Sequence, residues 1–164
     1  MILRPGGVTK EALELVVGRV DLDPTLEKNS HLSDCIIPKS PGMKYRHYSP
    51  KAQVIVVDGT HENIIKTIKR LIDVYNLQGK CVGIMCSNES RADFVSGEAL
   101  VIKTTGSRLI LQEVASSVFR LLREFDEDHV DVILAEAYPN EGIGKAIMNR
   151  LNKSAGFNII NGNV

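Results

Sequence analysis

Tryptophan is absent from this 164-residue chain, and four Phe with four Tyr bring the aromatics to only 5%. Charge of one sign is also missing: 20 Lys and Arg balance 20 Asp and Glu. A neutral sum gives no overall field toward nucleic acid or an anionic membrane, so any charge argument must be local. No stretch approaches the roughly 20 apolar residues of a membrane-spanning helix. Cysteine is scarce, with Cys35, Cys81 and Cys86 odd in number and lacking CxxC spacing. That pattern argues against a disulfide framework or a zinc site and predicts buried, reduced thiols. Met1 to Gly7 do not run from basic to apolar to small residues as a secretory leader does, so a cytoplasmic location is the expectation. What is present is a hydrophobic share of 43%, which excludes a wholly disordered chain, and a length suited to one domain.

The neutral sum divides unevenly. Residues 1–52 carry eight bases and six acids, whereas residues 53–164 carry twelve and fourteen. Pro38 to Lys51 contains Lys39, Lys44, Arg46 and Lys51 and no acid, together with Pro38, Pro41, Gly42 and Pro50. The prolines exclude a helix or a central strand, and the stretch reads as an extended linker. Upstream, Thr9 is placed to cap a short helix over Lys10 to Val17. Residues 18–40 offer little to bury.

From Gln53 onward, apolar β-branched runs alternate with amphipathic stretches. Strands are expected over residues 53–58, 80–86, 99–103, 130–135 and 157–160. Helices are expected over 61–75 behind Thr60, from Asn88 or Ser90 to Val95, from Ser107 to Phe125, and over 142–155. Continuous apolar strands between amphipathic helices indicate an α/β fold: a small, doubly wound, mostly parallel five-stranded sheet with helices on both faces, Rossmann-like, behind the extended linker. The expected strand order is 3-2-1-4-5, with 2-1-3-4-5 as the alternative.

Ligands of such sheets bind at the carboxyl ends of the strands, which directs attention to Asp58-Gly59-Thr60, Cys86-Ser87-Asn88 and Glu136 to Gly144. Gly142-Ile-Gly144-Lys145 at a helix start is a weak signal for an anion and reads more readily as tight packing where the chain enters the helix. Asn149 and Arg150 on that helix suit a site, a solvent-facing polar side or a tertiary ion pair. The four His do not cluster: His61 and His129 fall at element boundaries, where surface positions are expected, and His31 lies in the poorly patterned stretch. His47 sits within Lys44-Tyr45-Arg46-His47-Tyr48. In an extended strand Lys44, Arg46 and Tyr48 share one face, suited to phosphate, and Tyr45 and His47 share the other. The same segment also reads as a solvated basic linker with two docked aromatics.

Ser40-Pro-Gly-Met-Lys-Tyr-Arg-His-Tyr-Ser-Pro50 resembles the interdomain linker of the two-domain threonylcarbamoyl-AMP synthases. Ile2-Leu-Arg-Pro-Gly-Gly-Val-Thr9 resembles the closing segment of their YrdC-like catalytic domain, and Gly142 to Ala155 is similar to a motif late in their C-terminal Rossmann-like domain. The three motifs stand in the family's order. The resemblance implies an ATP-dependent enzyme that condenses L-threonine, bicarbonate and ATP into threonylcarbamoyl-adenylate, releasing pyrophosphate, for threonylcarbamoyladenosine formation in tRNA. It implies that Arg4 lies near the nucleotide and that Tyr45 contacts it, with Lys44, Arg46, His47 and Tyr48 completing the linker motif.

The family's catalytic domain would precede Arg4, so the sequence reads as a C-terminal fragment that is inactive alone. Its expected divisions are a remnant of the catalytic domain at residues 1–17, a partly disordered linker at 18–52 and a Rossmann-like domain at 53–164. The fragment is expected to hold no catalytic residue and no metal; ATP is a substrate, with magnesium in the missing domain. The expected partners are the chain's own YrdC-like domain and the parent enzyme's threonine, bicarbonate and ATP, with no direct tRNA binding required and no membrane. Three roles stay open: a regulatory or closure module, an independent ligand-binding domain using loops near Ser87, Asn88 and Gly142, or a nucleic-acid binder using the basic strip.

Overall fold

A strand buried on both faces reads as an unbroken apolar run, and the computed structural model turns each such run into a parallel strand. It describes residues 1–23, 50–94 and 100–163. β1 (Gln53–Asp58) has four buried residues between exposed ends, while β2 (Val82–Cys86) and β4 (Val132–Glu136) are buried throughout. β3 (Leu100–Thr104) is half-buried, and β5 (Ile159–Asn161) is a short edge strand. The helices are α1 (Lys10–Val17), α2 (His61–Leu77), α3 (Leu111–Glu127) and α4 (Ile143–Ser154). Thr9 and Thr60 cap α1 and α2 as expected, accepting from the amides of Ala12 and Asn63. Among the described residues no helix is long and apolar enough to cross a membrane.

The sheet is parallel and five-stranded, as expected, but its order is β3-β2-β4-β1-β5. Neither 3-2-1-4-5 nor 2-1-3-4-5 is correct, because β4 inserts between β2 and β1. The handedness of the crossovers explains how the layers form. The path from β1 through β2 to β3 moves one way across the sheet and lays α2 and a 3-10 turn on one face. The return through β4 to β5 lays α3 and α4 on the other. Two cores result. Val114, Val118, Leu121, Phe125 and Ile147 pack on the α3/α4 face, and Ile64, Ile68, Leu71 and Phe94 pack on the α2 face.

Two local expectations are corrected. The helix expected from Asn88 or Ser90 to Val95 is a single 3-10 turn, Arg91–Asp93, with Val95 outside the described residues. α3 begins at Leu111 rather than Ser107, because the Ser107 hydroxyl donates to Glu89 and residues 107–110 close a turn of their own. The thiols fit the expectation in part: Cys86 is buried and Cys81 half-buried, both unpaired, while Cys35 lies outside the described residues.

The N-terminal segment folds back on itself. Ile2 and Leu22 form a parallel bridge, with the Ile2 amide donating to the Asp21 carbonyl and the Asp23 amide to the Ile2 carbonyl. The segment then meets the start of α4, where Pro5, Thr9 and Lys10 line a shallow space with Gly142 and Lys145. Gly142 caps α4 at φ 50°, ψ −125°, a backbone region open to glycine. At Gly144 an added Cβ would fall 1.8 Å from the Pro139 carbonyl oxygen. The packing reading of this glycine pair therefore holds at Gly144.

Candidate functional site

Side chains alternate across a strand, so the residues of β4 divide between the two cores: Ile133 and Ala135 face α3 and α4, while Val132 and Leu134 face α2. Glu136, next in that alternation, ends the central strand on the α2 side. It is 0% exposed. Burying a carboxylate costs several kcal/mol unless its oxygens are satisfied. Oε2 accepts from the Ser87 amide at 3.0 Å and lies 3.5 Å from the Arg108 guanidinium. Oε1 is buried with no hydrogen-bond partner.

Arg108 comes from the turn before α3. Its Nη1 is 2.7 Å from His61 Nδ1 at the start of α2, and its Nη2 donates to the Ala137 carbonyl at 3.4 Å. A guanidinium only donates, so Nδ1 of His61 accepts and the imidazole keeps its proton on Nε2. The guanidinium carbon lies 5.6 Å from the centre of the Tyr138 ring. Tyr138 in turn shares a 2.6 Å hydrogen bond with Thr105, whose hydroxyl also lies 3.1 Å from the Cys86 carbonyl. Burial pushes the Tyr138 phenol far above its ordinary pKa, so it stays protonated. Glu89 fixes the turn from outside, accepting from the Ser107 hydroxyl and the Arg108 amide. These bonds hold its carboxyl down at about 2. Ser87 and Ser90 share a buried 3.0 Å hydrogen bond beside this group.

The ends of β4, β2 and β3 thus meet in a polar cluster where chain segments leave toward opposite faces of the sheet, the position at which open parallel sheets bind ligands. The end of β1 is closed differently: Asn163 accepts from the Thr60 amide and from the Asn63 side chain across the β1–α2 loop. All three strand-end loops singled out in the sequence lie at this edge. Arg108 and the pairing with His61 were missed, because Arg108 belongs to no motif and meets Glu136 only through the strand order. The signal that existed was Glu136 itself, an acid directly after an unbroken apolar run.

Arg4 is exposed and lies outside this cluster. It is near α4 instead: burial, then the charge of Arg4, lower the pKa of both Arg150 and Lys153. Arg150 is tied across the helices, donating to the Ala115 carbonyl at 2.8 Å and stacking 4.9 Å from the Phe119 ring centre. These contacts tie α4 to α3 through a carbonyl and a ring, not through the expected ion pair. Tyr45, Lys44, Arg46, His47 and Tyr48 fall outside the described residues. Among the described residues no group of three or more His, Cys, Asp or Glu converges as a metal would require.

A sequence profile described as the C-terminal domain of threonylcarbamoyl-AMP synthase matches residues 8–156. The threonylcarbamoyl-AMP synthase of Bacillus subtilis is 41% identical over 160 residues, covering 98% of this chain and 43% of that protein. The enzyme of the same name from Pyrococcus abyssi is 39% identical over the same shares. The structure of P. abyssi Sua5 complexed with L-threonine superposes with a TM-score of 0.81 at 38% identity, over 97% of this chain and 43% of that one. The C-terminal Sua5 domain of a Pyrococcus horikoshii protein superposes at 0.53 and 36% identity, over 68% of this chain and 98% of its own. The chain spans less than half the length of the curated relatives it matches. A family profile and structural likeness over nearly all its residues make it a member of the threonylcarbamoyl-AMP synthase C-terminal domain family.

Proposed function

We propose that this chain serves as the linker and C-terminal regulatory or closure domain of an L-threonylcarbamoyladenylate synthase, which joins L-threonine, bicarbonate and ATP and releases pyrophosphate for tRNA modification. The support is the family membership and the coverage of about 43% of the relatives. In this reading residues 1–17 close a catalytic domain, 18–52 form the linker and 53–164 form the module. The P. horikoshii C-terminal domain matches 68% of this chain, about the share that residues 53–164 make up.

The single observation that carries the closure role is the seating of the N-terminal segment on α4. Thr9 packs toward Gly142, and Arg4 lies within electrostatic reach of Arg150 and Lys153. The residue proposed to approach the nucleotide therefore lies beside the C-terminal module. Three cations brought together repel one another, and a polyphosphate placed among them relieves that repulsion. Arg4 and Tyr45 contact ATP in this proposal, while Lys44, Arg46, His47 and Tyr48 order the linker across the nucleotide. Magnesium accompanying ATP has no ligand set among the described residues, and no step is assigned to it.

Pyrophosphate release measured with threonine, bicarbonate and ATP tests both halves. The 164-residue chain is expected to show no turnover, and a catalytic rate from it overturns the division of labour. In a two-domain protein carrying this chain, Arg4→Ala is expected to raise the KM for ATP about tenfold, the loss of one charged contact. An unchanged KM removes Arg4 from the nucleotide site.

A further inference from the structure

Arg108 stands between two acceptors. Its Nη1 lies 2.7 Å from Nδ1 of His61 and 3.5 Å from Oε2 of Glu136, so the hydrogen bond goes to the neutral imidazole and the buried carboxylate is left at ion-pair distance. Glu136 is short of donors: Oε2 accepts from the Ser87 amide, and Oε1 has no donor among the described residues. A bond from a guanidinium to a carboxylate is stronger than one to a neutral ring nitrogen, so what holds Arg108 away is the lone pair on Nδ1. We propose that His61 and Arg108 form a proton-operated latch across the carboxyl edge of the sheet: the neutral imidazole ties the guanidinium to the start of α2, and the protonated imidazole releases it to Glu136.

The geometry supplies each part of that device. Nδ1 accepts only while it is unprotonated; with a proton there, two donors and two positive charges would face each other at 2.7 Å. His61 is exposed, so the proton arrives from solvent without opening the core. The Arg108 side chain is 20% exposed and lies over the Tyr138 ring, which leaves it room to slide and little access to bulk water. Joining Oε2 takes a movement of about 0.7 Å, from 3.5 Å to the length of a charge-assisted bond. The bond this movement strains, from Nη2 to the Ala137 carbonyl, is already 3.4 Å long. The charged groups on the elements around the ring are Asp58 at the end of β1, Glu62 on α2, Glu89, Arg91 and Asp93 after β2, Arg108 and Glu113 at the entry to α3, and Glu136 on β4. Acids predominate, so the repulsion of an imidazolium falls on Arg108, the cation in direct contact. Glu89, its carboxyl held down at about 2, keeps its bonds to the Ser107 hydroxyl and the Arg108 amide, so the backbone of the turn stays in place while the side chain moves.

Nuclear magnetic resonance of the 164-residue chain over about pH 8 to 5, the range in which imidazoles titrate, tests the latch. At the upper end the His61 ring is expected as the Nε2–H tautomer. As pH falls, the Arg108 guanidinium nitrogens and the Glu136 carboxyl carbon should shift with the same midpoint as the His61 ring. In His61→Gln, whose side-chain oxygen accepts throughout this range, both shifts should be lost; His61 is exposed, so the variant keeps the fold. A His61 ring protonated on Nδ1 at the upper end, an Arg108 signal indifferent to pH, or one that still moves in His61→Gln overturns the latch. An Arg108 shift without a Glu136 response overturns the transfer to Glu136. These titrations use the chain without nucleotide or turnover, so their outcome is separate from that of the synthase reading.

Discussion

Gly144 shows how a single missing methyl group fixes the edge of the sheet. A Cβ there would sit 1.8 Å from the Pro139 carbonyl oxygen, and backbone must move to admit it. Gly144→Ala is expected to destabilise the chain by roughly 1–3 kcal/mol, read as a lower urea midpoint at unchanged slope. Thiol reactivity separates two other residues. Burial, then the charge of Glu136, pushes Cys86 up to about 12, and Cys81 is raised more modestly by burial and Asp131. Peptide mapping after alkylation at neutral pH should find Cys81 modified first and Cys86 protected until the fold opens. Arg4 is a residue whose proposed function opposes stability. Its removal from the 164-residue chain should raise the Lys153 pKa in an NMR titration and raise the melting temperature slightly, because a like charge has been taken away.

At the scale of elements, the turn between β3 and α3 holds the candidate site in register. Glu89 ties that turn down, and its folded pKa of about 2 lies below the ordinary carboxylate value. A depressed carboxyl pKa stabilises the fold above its unfolded value, and that contribution is lost as pH falls toward the folded one. Acid titration from about pH 4.5 toward 2 should therefore release residues 107–110 before the sheet unfolds. Hydrogen exchange at the Ser107 and Arg108 amides reports it, and Glu89→Gln, which has no carboxyl to protonate, should abolish this pH-dependent release. The caps behave more simply. Thr60→Ala removes the acceptor for the Asn63 amide and is expected to cost about 1 kcal/mol. Much of this scale was legible beforehand: Thr9 and Thr60 were read as caps because hydroxyl residues precede the apolar periodicity. Ser107 misled for the same reason: its hydroxyl accepts from the Leu109 amide while donating to Glu89, yet residues 107–110 close a turn of their own before α3 begins.

For the whole molecule, the doubly wound parallel sheet was readable from apolar runs alternating with amphipathic helices, because burial on both faces leaves that imprint in every strand. The linker and Gly142 to Ala155 carried the family resemblance, since short motifs survive as contiguous residues. The order of the strands was not readable. β1, β2 and β4 have nearly the same apolar pattern, and nothing in a strand names its neighbour. The candidate site inherits that limit: Glu136, Ser87, Arg108 and His61 lie far apart along the chain and converge only because β4 enters between β2 and β1. The balanced charge and the lack of a long apolar run narrowed the classes of protein at the start, and the local patterns of hydrophobicity determined the elements and the fold class. Which ends share an edge, and therefore which acid faces which base, was decided by tertiary structure, because handed crossovers and close packing act between segments that carry no record of each other.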